Sequence, residues 1–465
     1  MLSRLVRVPE ELMDVLREGA SLLVKGVPGG GKTAFTLSII EEFKEGTCVY
    51  VSTRTSRELF YKYFPWVRDV LSDEMFIDAR APQVVPEKGE RPPLKYASAP
   101  EFMEVLYVKL KRKGEPKVAV IDSLDALKFN LKTRPEDLQI EKLLLEMAEA
   151  TSSSIVLVLE GTRESNLEYI VDGIVTLNRR LIDGFFIREI LLEKIRGKRI
   201  KFPSRLFTLK DGRFTVLEPS QYVMPERAEP PPIRGVKGEV IPTTVDELDR
   251  ALGGGVRKGW VVALEVGEDV RVDYRWVLIP FFLNAVRQGH PVFMIPSGGF
   301  SWIDVRNSFQ PFEERVHELK SYVHIIQFAE HKVGKGRNIY VLEGDDPSKD
   351  LEQIRNIIST EAASKGGIMF ISTDTLEHVY GSEDMLDMVA RLIITLRAVK
   401  HSVILVIKQG QRNVGTLLHT ADVHFEMKNV NGVTLIQGKE PSTMFYAITV
   451  DDSREHIRTE LVPVE

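Results

Sequence analysis

The sequence predicts an α/β protein made of two tandem copies of one fold, each a central, mostly parallel sheet with flanking helices. Three observations lead there. Short apolar runs alternate with amphipathic segments in both halves, an order that builds a buried parallel sheet. A proline-rich stretch beginning at Met224-Pro225, running through Pro230-Pro231-Pro232 and ending at Pro242, divides the chain into halves of similar length. The order of elements in the first half then recurs in the second.

At 465 residues the chain exceeds what one core supports. The expected organisation is a first domain at 1–222, a linker at 223–242 and a second domain at 243–465. A composition of 43% hydrophobic and 28% charged residues is that of a soluble globular protein. Net charge of −5 and a pI near 6.1 exclude an overall basic field of the kind that draws a protein to nucleic acid. The single cysteine, Cys48, excludes an intramolecular disulfide and fits a reducing compartment. Abundant Glu, Lys and Arg beside that one cysteine also suit a thermophile. Met1-Leu2-Ser3-Arg4 soon meets Glu10 and Glu11 without a signal-like apolar run, and the apolar run Leu278 to Ala285 is too short to span a bilayer. The expected location is the cytoplasm.

In the first half, Ala20 to Lys25, Cys48 to Ser52, Val118 to Asp122 and Ser154 to Leu159 read as strands. Thr33 to Phe43, Ala99 to Lys113 and Glu136 to Ala150 read as helices, and Pro82 to Pro93 as a mobile loop. After Asp172 the pattern becomes consecutive strands, with Asp211-Gly212 marking a hairpin. In the second half, strands are expected at Trp260 to Glu265, Val292 to Ile295, Gly367 to Ile371 and Ser402 to Ile407. Val423 to Met427 and Val433 to Ile436 are expected to close that domain.

Between the first strand and the first helix lies Gly26-Val27-Pro28-Gly29-Gly30-Gly31-Lys32-Thr33, a full G-x-x-x-x-G-K-[ST] match in the context its chemistry requires. Glycines let successive N–H groups converge on phosphates, and the helix N-terminus adds partial positive charge. Gly26 through Thr33, with Ala34 after them, are therefore assigned to a nucleoside triphosphate, ATP with Mg²⁺. Lys32 neutralises the β/γ-phosphates and Thr33 ligates the metal. Asp122, closing an apolar strand, supplies the second metal-side carboxylate; its bland alternative is a helix cap. Glu160 ends the next strand, where ligand crevices open. It either senses the γ-phosphate and orients water, or is a loop carboxylate.

The succession of this loop, Ile121-Asp122-Ser123-Leu124, Glu168 to Val175 and Leu192-Glu193-Lys194-Ile195-Arg196-Gly197 resembles the RecA superfamily, and within it the KaiC-like, RadA-related ATPases. Tyr50 to Ser56 with Phe64-Pro65-Trp66 is similar to archaeal GvpD-type proteins, the gas-vesicle regulator group. The resemblance implies RecA-like P-loop NTPase domains, a homo-oligomeric ring, commonly a hexamer, and a Lys-x-Arg pair reaching the neighbouring subunit's nucleotide. Lys194 and Arg196 match that pair; the alternative is a solvated basic strand continued by Lys198, Arg199 and Lys201. KaiC-like domains usually carry paired glutamates after the second strand, where this chain has Arg54 and Thr55. Glu58 lies nearby, although an acid at a helix start is also favoured by the dipole. ATP hydrolysis is thus expected to be slow, or to use Glu160 or Glu58 as base.

The second copy reads as degenerate. Leu252 to Gly259 resembles the opening of a KaiC-type domain, but the loop that follows its strand is Gly267-Glu268-Asp269-Val270-Arg271-Val272-Asp273-Tyr274. Val272, Asp273 and Tyr274 stand where the first copy has Gly31, Lys32 and Thr33, so acids would repel phosphate. Leu435-Ile436-Gln437 replaces the Lys-x-Arg pair, and Asp374 reads as a cap. His317, His324 and His331 recur every seventh residue, but their segment changes from helix to strand near Val323, so no zinc site is expected. The aromatics of Glu58 to Val67 are either core or a nucleotide-sensitive partner surface. The leading expectation is a nucleotide-dependent switch acting on a protein partner, which the GvpD-type resemblance implies is a transcriptional regulator. The competing one is a recombinase-like ATPase binding DNA through Lys128 to Arg134.

Overall fold

The computed structural model describes residues 2–43, 46–80, 99–111, 117–130, 132, 138–221, 223–270, 273–297, 302–329, 336–361, 366–451 and 456–465. The strands of the first half, after the N-terminal β1 (Leu2–Val6), are β2 (Ser21–Gly26), β3 (Thr47–Ser52), β4 (Phe76–Asp78), β5 (Lys117–Asp122) and β6 (Ser154–Val158). They are followed by β7 (Gly173–Ile182), β8 (Phe185–Ile195), β9 (Ser204–Thr208) and β10 (Thr215–Ser220). Spatially the order is β4-β3-β5-β6-β2-β7-β8-β9-β10, parallel as far as β7 and antiparallel beyond it.

Strand alternation gives this sheet two apolar faces. Leu22, Val24, Val118, Val120, Val156 and Val158 face one core, with Phe35, Leu37 and Ile40 of the helix Lys32–Glu42. Leu23, Ala119, Ile121, Ile155 and Leu157 face the other, with helices Ala99–Leu110, Leu124–Asn130 and Gln139–Ala150. Both faces being covered is why these strands read as continuous apolar runs.

The second half adds a short pair, β11 (Val240–Ile241) with β12 (Val256–Arg257), and then β13 (Val261–Val266), β14 (Val292–Ile295), β15 (Val323–Phe328) and β16 (Ile339–Leu342). The remaining strands are β17 (Ile368–Ser372), β18 (Ser402–Lys408), β19 (Val423–Val430), β20 (Val433–Glu440), β21 (Ser442–Asp451) and β22 (Arg458–Pro463). Their order is β16-β15-β14-β17-β18-β13-β19-β20-β21-β22. Apart from β16, which has no counterpart among the described residues, each strand in this order occupies the place of one in the first sheet, so the duplication extends to topology. Two tandem P-loop-type α/β sheets with flanking helices are what the sequence predicts.

The chain divides into two compact units, Leu5–Glu218 with Val464–Glu465, and Pro219–Pro463 with the start of β1. Ser3 accordingly pairs with Thr449 of β21. The proline-rich segment packs on the second unit as a strap: Ala228 N donates to Pro311 O at 2.9 Å, and Arg234 bridges Asp246 and Asp249.

Several expectations change. The second domain does not close at Ile436; β21 and β22 follow, antiparallel, and β4, β15 and β16 are also additional. β4 and β16 are only three and four residues long, and β15, β21 and β22 carry polar residues within them or at their ends. Pro280 sits inside the buried helix Arg275–Val286. Pro82 to Pro93 lies outside the described residues, as do Val272 and His331. His317 and His324 are described, and a helix ending at Tyr322 does give way to a strand at Val323. His324 is buried against the Phe293 ring, and no metal-ligating cluster occurs among the described residues.

Candidate functional site

The loop after β2 is shaped by its own sequence. Gly30 N donates to Val27 O at 2.9 Å, closing a turn with Pro28 and Gly29 at its centre. Proline supplies the fixed φ of the first central position, and Gly29 at φ 71° takes the second, as a type II turn demands. Gly31, at φ 95°, then caps the helix that begins with Lys32. An L side chain at either glycine would strain the backbone.

Lys32 is 8% exposed, and its Nζ donates to Gly26 O at 2.7 Å and Val27 O at 3.1 Å. Glu160 Oε2 lies 3.0 Å from the same nitrogen, while its Oε1 lies 3.0 Å from Arg54 Nη1. One carboxylate thus bridges the buried lysine and an arginine whose side chain is 56% exposed. Asp125 holds the Glu160 backbone, accepting from its N–H at 2.6 Å.

Thr33 Oγ1 donates to Asp122 Oδ2 at 2.7 Å, so the two sequence-assigned metal-side residues meet. The Tyr50 hydroxyl donates to the same oxygen at 2.6 Å. Burial, and then the Asp122 charge, push that hydroxyl well above the usual tyrosine range, so it remains a donor. Thr53 Oγ1 accepts from Ser123 N at 2.7 Å and donates to Asp122 O at 2.9 Å, fixing the strand end. The peptide between Asp122 and Ser123 is cis. A loop with open N–H groups, a hydroxyl and a carboxylate together at its mouth, and an ammonium beneath it fits a Mg²⁺-bound polyphosphate.

The other assigned residues lie elsewhere. Glu58 is exposed on the first turn of the helix Arg57–Tyr63, in a polar pocket with Arg57, Tyr61, Arg68 and Asp73. Its helix is capped by Ser56, which accepts from Leu59 N, so the dipole explains an acid there. Lys194 Nζ turns inward to Val171 O at 2.7 Å and Glu168 O at 2.9 Å. Arg196 faces outward, 63% exposed, and pairs with Asp172 at 2.7 Å. Lys128 is buried against Glu141 at 2.8 Å, while Phe129, 83% exposed, and Lys132 face outward; Leu131, Thr133 and Arg134 of that stretch lie outside the described residues. Of the aromatic segment, Phe60 and Tyr61 are core, packed with Tyr50 and Phe76, while Leu59 and Tyr63 are exposed.

Sequence reasoning missed Tyr50 and the bridging role of Arg54. The signal for Tyr50 was available: it lies two residues before the end of a strand that pairs with β5, in register with Val120.

The second copy fills the corresponding place with its own charges. Asp374 follows β17 as Asp122 ends β5, and it accepts from Ser372 Oγ at 2.6 Å and Ser297 Oγ at 2.7 Å. Lys408 Nζ lies 2.5 Å from Asp374 Oδ2. Tyr274 is buried beside them, its hydroxyl pushed up to about 12 by burial and then by Asp374. Asp273 accepts from Thr434 Oγ1 at 2.7 Å.

Fold and loop together define a P-loop protein of the class that binds nucleotides. Residues 13–193 match the family described as GvpD gas vesicle protein, P-loop domain. Protein GvpD2 of Halobacterium salinarum is 27% identical over 94% of this chain and 91% of its own length. Protein GvpD1 of the same organism is 29% identical over 68% of this chain and 62% of its own length. The first half of the chain is thus similar to the GvpD P-loop domain, and the likeness to GvpD2 runs through most of the rest. No helix among its described residues is long and apolar enough to cross a membrane.

Proposed function

We propose that this protein is a regulatory switch that binds ATP with Mg²⁺ at Gly26–Ala34 and hydrolyses it slowly. The observation that carries this reading is the Thr33–Asp122 contact at 2.7 Å beside a fully formed phosphate loop. Mg²⁺ there supplies charge neutralisation for the phosphates. Thr33 and Asp122 hold it, with Tyr50 orienting Asp122, and Lys32 exchanges Glu160 for phosphate oxygens. Glu160 then keeps Arg54, which passes the change toward the exposed Leu59 and Tyr63 of the next helix. Slow turnover follows from having Arg54 and Thr55 where related ATPases carry paired glutamates.

Homo-oligomerisation into a ring in which the neighbouring subunit supplies Arg196 to the nucleotide, and a protein partner, complete the reading. Arg196 suits the trans role better than Lys194, whose ammonium is held by its own chain. The matched family's description makes a gas-vesicle role the first to test. A DNA-handling role is less well supported, because Lys128 is buried with Glu141.

The test is ATP turnover by the wild type, Lys32→Ala and Arg196→Ala, with mass in solution measured alongside. Expected are ATP-dependent assembly and slow turnover lost in both variants. Monomers at micromolar concentration with MgATP overturn the ring, and unchanged turnover in Arg196→Ala overturns its trans role.

A further inference from the structure

The β7–β8 hairpin brings two arginines to the phosphate loop. Arg179 on β7 and Arg188 on β8 are direct cross-strand partners. Arg188 Nη1 donates to Gly29 O at 2.9 Å, and Arg179 Nη1 lies 3.6 Å from where a Cβ on Gly29 would stand. Both guanidinium groups therefore meet the apex of the Val27–Gly30 turn.

Their pairing is unfavourable as it stands. Like charges directly opposite across two strands repel. Arg188 is held below the usual arginine range by burial and then by Arg179, with Glu465 acting the other way. Its Nε is buried without a hydrogen-bond partner. Arg179 is exposed and stands 4.7 Å over the Phe186 ring, and among the described residues neither arginine forms an ion pair with a carboxylate. The adjacent Arg180 shows the ordinary alternative, an ion pair with Glu189. Two cations without an ion pair among the described residues, set against a loop of anion-binding geometry, call for an anion.

We infer that Arg179 and Arg188 form an intrachain clamp for the phosphates of the nucleotide held at Gly26–Ala34, an inference that rests on the nucleotide reading of that loop. Arg188 seats the hairpin on the loop, and Arg179 supplies the movable cation. A bound polyphosphate relieves the repulsion between them, so affinity rises with ligand charge. The clamp makes triphosphate recognition a property of the single chain, separate from the outward Arg196.

The test is calorimetric binding of MgATP, MgADP and inorganic tripolyphosphate to the full chain, comparing wild type with Arg179→Ala, Arg179→Glu, Arg179→Lys and Arg180→Ala. Arg179→Ala is expected to weaken MgATP binding about tenfold, Arg179→Glu more and Arg179→Lys less, while Arg180→Ala stays within about twofold. The preference for ATP over ADP should shrink in the same order. MgATP affinity in Arg179→Glu within about twofold of wild type overturns the clamp, as does an equal loss in Arg180→Ala. If the wild type itself binds no MgATP, the nucleotide reading fails and the clamp with it. Wild-type binding with an indifferent Arg179 refutes the clamp alone.

Discussion

Replacing Glu160 by Gln tests the proposed switch at its centre. The carboxylate stands 3.0 Å from Lys32 Nζ, and nucleotide binding must displace that contact. At this distance the gross Coulomb attraction is about 5 kcal/mol for an effective dielectric of about 20. Glu160 is partly hydrated, and Arg54 shares it, so the net contribution lies nearer a charge-assisted hydrogen bond, about 1.5–3 kcal/mol. Lys32 also retains Gly26 O and Val27 O, and a Gln amide still accepts a hydrogen bond, which favours the lower end. The expected result is MgATP affinity about tenfold tighter, from about 1.4 kcal/mol. Equilibrium titration with a fluorescent nucleotide analogue, with ATP competition as a check, measures it. Unchanged or weaker binding refutes the displacement. Turnover is a second, independent readout: if Glu160 orients water, the rate falls about a hundredfold or more while binding tightens.

Tyr50→Phe removes a 2.6 Å donor from Asp122 and should raise the Mg²⁺ concentration needed for half-maximal ATP binding several-fold, with binding of metal-free ATP unchanged; an equal loss with and without Mg²⁺ refutes the positioning role. Lys128→Ala strands the Glu141 carboxylate in the core and should cost about 3–5 kcal/mol in urea unfolding; an unchanged midpoint with weakened single-stranded DNA binding would restore the DNA reading. His324 and His401 are held below 6.5 chiefly by burial, so the unfolded chain binds more protons than the folded one as pH falls through that value. Stability should therefore decline below about pH 6.5, and His324→Phe should flatten the decline in acid-unfolding curves.

The parallel strands were legible because burial on both faces writes continuous apolar runs, and the phosphate loop because glycine, lysine and threonine obey backbone and charge requirements at fixed spacing. The Asp211-Gly212 hairpin was legible too: both residues take positive φ, 58° and 69°, which few residue types accept. What stayed hidden depended on partners distant in sequence. Lys194 and Arg196 are two apart in sequence, yet Lys194 lies in β8 and turns to backbone carbonyls, while Arg196 lies in the turn past the strand's end and faces solvent. Lys128 looked like a surface cation until Glu141, on another helix, buried it. Strands β21 and β22 mix apolar and polar residues without a clean period and needed their neighbours to declare them.

Lys408 beside Asp374 gives the second unit a built-in counter-ion, and this has a mechanical consequence. Ligand at hundredfold excess over Kd adds about 2.7 kcal/mol to whatever binds it and nothing to what does not. On the proposed reading, nucleotide would stabilise Leu5–Glu218 selectively and leave the lysine-neutralised fold of Pro219–Pro463 as it was. The same chain would then hold an adjustable half and a fixed standard, and a partner that touches both would read the difference between them.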